Sequence, residues 1–506
     1  MGLLQPDAGY HRNPTEGGRV SDSTIERATR RRTKIVATLG PATDRSGVLE
    51  GLLRAGVDVV RLNFSHGEAA DHVRRATEVR AKAEAIGRDV GVLADLQGPK
   101  IRTERFRDGP VTLEEGADFF LDPDLAADAG NVEGVGITYK DLPNDVSAGD
   151  VLLLADGQLV LSVDRVKGKR IHCKVVLGGE LSNNKGINRQ GGGLSAGALT
   201  EKDRADLKVA AEMDADYVAV SFPRSADDIH EARQLLQAEG CKAGIVAKIE
   251  RAEALDCIDE IILATDVVMV ARGDLGVEIG DAELPGVQKR IISRSRELDR
   301  VVITATQMME SMITNAMPTR AEVLDVANAV MDGTDAVMLS AETAAGRYPV
   351  RTVEAMDRVC LGAERQRSTQ RSTHRMDCTF QRIDEAIAMA SMYTANHLSV
   401  KAIVSLTESG STARWMSRIS SGIPIFACTQ HQSTRRRVTL YRGVYPMAFD
   451  IVHAEPRHVV HDAIELLKPD HTVHDGDLVV VTKGDFSGVA GGTNTMKIVR
   501  VGEDNE

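Results

Sequence analysis

Eight short apolar runs, rich in β-branched residues, recur along the first two thirds of the chain: Lys34–Thr38, Val57–Leu62, Val90–Ala94, Tyr217–Val220, Ile245–Lys248, Val267–Val270, Val301–Thr304 and Ala336–Leu339. Each is followed by a segment of helical character. Runs without polar alternation are strands buried on both faces, the situation of a parallel sheet covered by helices. Eight of them in alternation with amphipathic helices predict a closed (β/α)8 barrel. Thr200-Glu-Lys-Asp203 and Thr319-Arg-Ala-Glu322 are capping-box patterns that mark two helix starts.

Strand-to-strand spacing is mostly roughly 22 to 35 residues, as one βα unit requires, but about 120 residues separate the third run from the fourth. One helix accounts for a small part of that gap. The rest, 98–197, has short alternating runs (Val151–Leu154, Leu159–Val163, His172–Val176) among Gly, Asp and Pro, and is expected to be a small inserted all-β domain. Residues 33–97 and 198–365 then form the barrel. The Arg/Ser/Thr-rich stretch 365–375 is a linker, and 366–506 is expected to be a second α/β domain with strands near Ala402–Leu406, Ile423–Ala427, Leu478–Thr482 and Met496–Val501. Residues 1–32, polar and ending in Arg30-Arg31-Arg32, are expected to be an N-terminal arm.

Composition narrows the function. The 506 residues carry 62 Lys+Arg against 74 Asp+Glu, a net charge of −12, which argues against bulk binding to nucleic acid or an anionic membrane. Aromatics make up only 3%, so stacking platforms for bases or sugars are disfavoured. The six cysteines form no CxxC pair, and no run is long enough to span a membrane, so a reducing, cytoplasmic setting is expected. No P-loop and no Rossmann glycine turn occurs in a strand-to-helix setting.

In a barrel of this kind the C-terminal strand ends converge on one face. They carry Arg61, Asn63, Ser65 and His66 after the second run, Asp95 after the third, and Ser221 and Phe222 after the fourth. Lys248 and Glu250 follow at the fifth, Arg272 and Asp274 at the sixth, Thr306 and Gln307 at the seventh, and Ser340 and Glu342 at the eighth. Glu250 and Asp274, on adjacent strands, suit a hard divalent cation such as Mg²⁺; ion pairing with Arg61, Lys248 and Arg272 is the other use open to them. Those three cations suit a small phosphorylated anion.

The same residues carry a family resemblance. Thr38-Leu-Gly-Pro41, Val60-Arg-Leu-Asn-Phe-Ser-His-Gly67, Asp95-Leu-Gln-Gly-Pro-Lys-Ile-Arg102, Val246-Ala-Lys-Ile-Glu250, Met269-Val-Ala-Arg-Gly-Asp-Leu-Gly276, Ala305-Thr-Gln-Met308, Pro318-Thr-Arg-Ala-Glu322 and Met338-Leu-Ser-Ala-Glu-Thr343 resemble pyruvate kinase motifs, in order, over about Thr33–Glu506. The resemblance implies transfer of the phosphoryl group of phosphoenolpyruvate to ADP, giving pyruvate and ATP, by a homotetramer in which the inserted domain 98–197 is a lid and the C-terminal domain 366–506 is regulatory. It implies Lys248, Arg61 and Thr306 as catalytic residues, with Gly273 and Asp274 also at the substrate. Glu250 and Asp274 would ligate Mg²⁺, with Mn²⁺ an alternative, and Asn63, His66, Arg102 and Lys185 would contact the nucleotide.

Two departures refine the expectation. Potassium-requiring members have a threonine and a glutamate where this chain has Leu96 and Lys100, while counterparts of Asn63, Ser65 and Asp95 are retained, so activity without K⁺ is expected. Many members have lysine at Ala345. In the last domain Thr407, Ser409, Gly410, Ser411 and Thr412 resemble the family's effector phosphate loop, and Lys483-Gly-Asp-Phe-Ser-Gly488 lacks a Trp-Arg pair used for a second phosphate. A monophosphorylated sugar or nucleotide effector is expected. Two other readings stay open at this level: a lyase acting on the same enolate, which has no use for Arg102 and Lys185, and a non-catalytic metabolite sensor, which has no need of Lys248, Glu250 and Asp274.

Overall fold

The computed structural model describes residues 30–366, 369–370, 379–451, 457–485 and 491–503. The arm up to residue 29, linker residues 367–368 and 371–375, Cys378, and Phe486, Ser487 and Gly488 of the last loop lie outside the described residues. The chain opens with β1 (Lys34–Thr38), β2 (Val59–Asn63) and β3 (Gly91–Asp95). Eight strands of an excursion follow: β4 (Val111–Leu113), β5 (Asp118–Asp122), β6 (Gly134–Gly136), β7 (Val151–Leu154), β8 (Leu159–Lys167), β9 (Arg170–Leu177), β10 (Gly179–Leu181) and β11 (Ile187–Arg189). It resumes with β12 (Tyr217–Val220), β13 (Gly244–Ile249), β14 (Val267–Ala271), β15 (Val301–Ala305) and β16 (Ala336–Leu339). The last sheet comprises β17 (Val400–Leu406), β18 (Ile425–Thr429), β19 (Val444–Ala448), β20 (Leu478–Gly484) and β21 (Thr493–Arg500).

The barrel closes in the order β1-β16-β15-β14-β13-β12-β3-β2, as the eight apolar runs predict. Every junction is parallel. Both capping boxes form: Thr200 accepts the Asp203 N–H, and Thr319 the Glu322 N–H. The excursion builds a six-stranded sheet, β11-β7-β8-β9-β5-β6, and a two-stranded sheet, β10-β4. Strands of three residues such as β4, β6, β10 and β11 are too short for a period of two to be legible in the sequence.

The last sheet has the order β19-β18-β17-β20-β21. The four expected strands are present, and β19 is additional. It contains Pro446 and lies at the sheet edge, the place where a residue without an N–H is tolerated in a ladder.

The bottom of the barrel holds a repeat that the apolar pattern does not announce. Asp58, Asp216, Asp266 and Asp335 each stand immediately before a strand, β2, β12, β14 and β16. Each carboxylate accepts the N–H of the second residue of β1, the second residue of β3, and the second residues of β13 and β15 in turn: Ile35, Val92, Ile245 and Val302, all at 2.9 Å. Each aspartate N–H returns a bond to the carbonyl of that same residue, at 2.9–3.0 Å. Every second strand start is therefore tied to its predecessor by a reciprocal pair. The local pattern is a small or β-branched residue, then Asp, then an apolar run.

Arginines complete these carboxylates. Arg31 reaches Asp58 at 2.9 Å and Arg233 reaches Asp266 at 3.0 Å. The other two partners come from the C-terminal region: Arg436 bonds Asp216 at 2.8 Å, and Arg418 forms a two-pronged, almost fully buried pair with Asp335. Tyr217 also donates to the Arg437 carbonyl at 2.6 Å, and Lys34 donates to the Val444 carbonyl at 2.6 Å. One apolar cluster runs from the barrel interior through Tyr217 to Met416, Val438 and Leu440. The C-terminal sheet and its helices are thus docked on the end of the barrel opposite the polar rim.

Arg31 and Arg32, the last residues of the expected arm, are docked on the barrel: Arg31 also bonds Asp357 at 2.7 Å, and Arg32, which is buried, bonds Glu364 through its N–H at 2.9 Å and the Thr369 carbonyl at 2.7 Å. These two arginines are drawn in because carboxylates and carbonyls meet their donors. Asp335→Ala, which strands Arg418 without its carboxylate, is expected to destabilise the protein by about 3–5 kcal/mol, read from its urea unfolding midpoint, and Arg418→Met in the same chain should restore part of the loss.

Candidate functional site

β13 brings Lys248, and Glu250 two residues later, to the C-terminal mouth of the barrel. The Lys248 Nζ lies 3.0 Å from Glu250 Oε1 and 3.3 Å from Asp95 Oδ1, and donates to Ser221 Oγ at 2.7 Å. Burial alone would lower the proton affinity of this ammonium, but Asp95 and Glu250 outweigh it and hold the lysine charged. Asp95, wholly buried at the end of β3, also accepts Arg61 Nε at 2.6 Å. Burial would raise its pKa, yet Lys248 and Arg61 keep it below the usual carboxylate range. Arg61 donates once more, to Thr38 Oγ1 at 3.0 Å, so two neighbouring strands aim its guanidinium.

Glu250 behaves differently. Its Oε2 accepts the Phe222 N–H at 2.9 Å, and its pKa is raised, first by burial and then, against the opposing pull of Lys248, by the negative charge of Asp274. Two carboxylates forced together in this way fit a divalent cation, which relieves exactly the repulsion that burial amplifies, and so the pair suits Mg²⁺. Among the described residues no group of three or more His, Cys, Asp or Glu side chains is gathered to cage a metal. Two protein carboxylates match a cation that completes its shell with water and substrate oxygens.

Asp274 is carried in the first turn of the helix Arg272–Ile279, which starts directly from β14. A Cβ at Gly273 would stand 3.0 Å from Thr306 Cγ2, so the glycine lets the Thr306 turn pack against this helix. Thr306 and Gln307 both have positive φ, 75° and 56°, a conformation a β-branched residue rarely adopts. Arg272 holds that turn: it donates to the carbonyls of Ala305 at 3.0 Å and Thr306 at 2.5 Å, and pairs with Asp325 at 2.7 Å.

Arg272 is therefore not a free cation of the rim, as the strand-end pattern suggests, because its fork is used up on the scaffold. Glu342 is corrected in the same way. It is buried, accepting the N–H groups of Ser340 at 2.6 Å and Met309 at 3.2 Å, with its pKa raised by burial. Met308, Met309 and Met312 are core residues.

The Asn63–Gly67 loop forms the second flank. Asn63 Oδ1 accepts the Ser65 N–H at 3.2 Å. His66 is exposed, and its pKa is lowered first by partial desolvation and then by the charges of Arg102, Lys100 and Arg61. Lys100 thus lies close enough to act on this loop. Arg102 forms an isolated bridge to Gly186, and Lys185 and Thr103 exchange backbone and side-chain bonds at 2.8–3.0 Å. The two expected nucleotide cations therefore stand on adjacent chains at the root of the lid.

The return stem of the lid is clasped to the barrel at a triple glycine by Arg251, Glu253 and Glu278, three residues that the sequence motifs did not single out. Gly191, Gly192 and Gly193 all have φ near +80°, which only glycine adopts in succession. Gly193 N–H bonds Glu253 at 3.1 Å, Gly191 N–H bonds the Glu278 carbonyl at 3.0 Å, and Arg251 donates to the carbonyls of Leu194 at 2.8 Å and Ala196 at 3.2 Å. A side chain at Gly192 would run into Glu253. Burial pushes Glu278 up to about 7. A narrow cleft open to solvent lies here, lined by Lys100, Phe222, Arg251, Asp274 and Glu278.

In the C-terminal sheet the hydroxyl loop is less open than its composition suggests. Thr407 Oγ1 accepts the Gly410 N–H at 3.0 Å, and Thr412 is buried against Thr493, 2.7 Å between hydroxyls. Ser409 is exposed and Ser411 half-buried. Glu408 pairs with His431 at 2.5 Å beside the loop.

Comparison with known proteins agrees with this geometry. The family model described as pyruvate kinase, barrel domain, matches residues 30–353, and that described as pyruvate kinase, alpha/beta domain, matches 385–499. Pyruvate kinase II of Salmonella typhimurium is 58% identical over 475 residues, covering 93% of this chain and 99% of the relative. A pyruvate kinase of Haemophilus influenzae is 57% identical over 461 residues, covering 90% and 96%. The crystal structure of a pyruvate kinase from Cryptosporidium parvum superposes with a TM-score of 0.87 at 34% identity, covering 93% of this chain and 96% of that one.

Proposed function

The chain belongs to the pyruvate kinase family and is a phosphotransferase, and from that premise we propose how its side chains divide the work of moving a phosphoryl group from phosphoenolpyruvate to ADP. The observation that carries the reading is the chain of ion pairs Arg61–Asp95–Lys248–Glu250 at the barrel mouth. Phosphoryl transfer builds negative charge on the transferred oxygens, and preorganised cations stabilise it. Lys248 meets the phosphoryl group and the developing enolate oxygen, while Arg61 holds the phosphate. Glu250 and Asp274 hold Mg²⁺, which pyruvate kinases use; when bound it supplies concentrated positive charge to the phosphoryl and enolate oxygens.

Thr306 and Gly273 line the substrate. Thr306 lies on the proton route to the enolate, where it orders a water that relays the proton. Asn63, His66, Arg102 and Lys185 hold the nucleotide; support comes from the position of the last two at the lid root. Closure of the lid excludes the water that would hydrolyse the phosphoryl group.

Lys100 takes over the role of a monovalent cation beside Asn63, Ser65 and Asp95; its influence on His66 supports this. The protein is activated by a monophosphorylated sugar or nucleotide at Thr407–Thr412. Support is narrow: Ser409 and Ser411 are the two hydroxyls there that retain access to solvent. It works as a homotetramer, a reading favoured by Leu324 and Met331, exposed apolar residues seven apart on the helix Arg320–Asp332. A cytoplasmic location accords with the absence, among the described residues, of a helix long and apolar enough to cross a membrane.

Lys248→Met is expected to lower kcat by about 10³-fold in a coupled pyruvate-formation assay while leaving the circular dichroism spectrum unchanged. Retained turnover would remove Lys248 from the mechanism. Assayed in buffer free of K⁺ and Na⁺, the enzyme should be fully active, and strong activation by added K⁺ would overturn the role given to Lys100. With subsaturating phosphoenolpyruvate, glucose 6-phosphate, ribose 5-phosphate or AMP should activate more than fructose 1,6-bisphosphate does, and sedimentation in the same buffers should give the mass of four chains.

A further inference from the structure

The geometry points to Ser221 as a positioning residue for Lys248, set in place by the strained turn at Phe222 on which both stems of the lid rest. This rests on the role proposed above for Lys248. Ser221 ends β12 and is 1% exposed. Its hydroxyl donates to the Leu96 carbonyl at 2.7 Å and accepts from Lys248 Nζ at 2.7 Å. A hydroxyl has one proton, and the Leu96 carbonyl has taken it, so the oxygen turns only lone pairs to the lysine.

Of the three groups around the ammonium, two are carboxylates with other tasks: Asp95 bonds Arg61, and Glu250 faces Asp274. A carboxylate contact also diminishes the field that Lys248 presents to a phosphoryl group. Ser221 alone orients the ammonium without neutralising it, and alone keeps its contact when the carboxylates turn to metal and substrate.

The turn explains the placement. Phe222 has φ of 55°, in a region a phenylalanine rarely adopts. That conformation lets adjacent residues serve one side of the neighbouring strand: Ser221 Oγ reaches Lys248, and the Phe222 N–H reaches Glu250, the residue two further along, at 2.9 Å.

The same dipeptide supports the lid. A Cβ at Gly98, where the outgoing stem leaves the barrel, would stand 2.7 Å from Ser221 Cβ and 3.1 Å from the Phe222 ring. Arg251, which binds the Leu194 and Ala196 carbonyls of the return stem, lies over the Phe222 ring at 5.7 Å. Both stems therefore bear on the two residues that aim Lys248 and Glu250. A shift of either stem reaches the catalytic ammonium through one buried contact.

The test is Ser221→Ala, made in the full-length chain and again in Lys248→Met. In the first background kcat should fall roughly 10- to 100-fold, the scale of a small misplacement of a catalytic group, with KM for ADP and the melting temperature close to those of the parent. In the Lys248→Met background the same substitution should change the rate less than about twofold, because its effect travels through the lysine. Equal losses in both backgrounds, or an unchanged kcat in the first, would overturn the inference while leaving Lys248 as the transfer lysine. Full activity of Lys248→Met itself would instead overturn the reading of the site. Should Ser221→Ala not fold, Ser221→Cys, which keeps the shape with a poorer acceptor, carries the same comparison with a smaller expected loss.

Discussion

The structure depends first on the closure of β1 against β16, segments some 300 residues apart in sequence that pair in register from Lys34 with Ala336 to Ala37 with Leu339. A parallel ladder has no tight turn to set its register, so something at the strand starts must do it. The four aspartates do it at every second junction, β1–β2, β3–β12, β13–β14 and β15–β16, each through a carboxylate that accepts an N–H and a backbone bond returned to the same residue, and at the closing junction the Lys34 N–H bonds the Asp335 carbonyl at 2.7 Å. The same carboxylates also recruit arginines, at Asp58 and Asp266 on the oxygen that accepts the strand N–H and at Asp216 and Asp335 on the other oxygen as well, and Arg436 and Arg418, which meet the latter two, come from the C-terminal region. One set of carboxylates thus aligns the barrel and seats the last sheet beneath it.

At the other end the same strands present a different balance. A buried lysine is tolerable only if its charge is answered, and Asp95 and Glu250 answer it. Glu250 is set against the like charge of Asp274, a repulsion that a cation would relieve. In the proposed reading metal and phosphate complete this balance, while the scaffold around it, Arg272 on the Thr306 turn and Glu342 on the β16 loop, is hydrogen-bonded to the backbone. Affinity for charged ligands and rigidity of the frame come from different residues.

The lid belongs to this arrangement through its stems rather than its sheet. Three left-handed glycines, Arg251, Glu253 and Glu278 hold the return stem, and Gly98 packs on Ser221 and Phe222. The stems therefore rest on the strand ends that carry Lys248 and Glu250.

The eight apolar runs determined the barrel, because strands buried on both faces must be apolar throughout, and the motif residues Arg61, Asp95, Lys248, Glu250 and Asp274 were legible as converging groups once those runs were recognised. The capping boxes were local and equally readable. The short strands β4, β6, β10 and β11 were not, having too few side chains for a period, nor was β19, whose proline reads as a break until its edge position is known. Whether a charged residue faces ligand or frame was decided only by the tertiary structure: Arg272 and Glu342 share the strand-end pattern of Lys248 and Glu250, yet one is consumed by backbone carbonyls and the other by backbone N–H groups. The roles of Ser221, Phe222 and the strand-start aspartates were decided there too, since each depends on a partner from a distant segment, and spacing along a chain carries no record of which hydrogen-bond donors arrive from elsewhere.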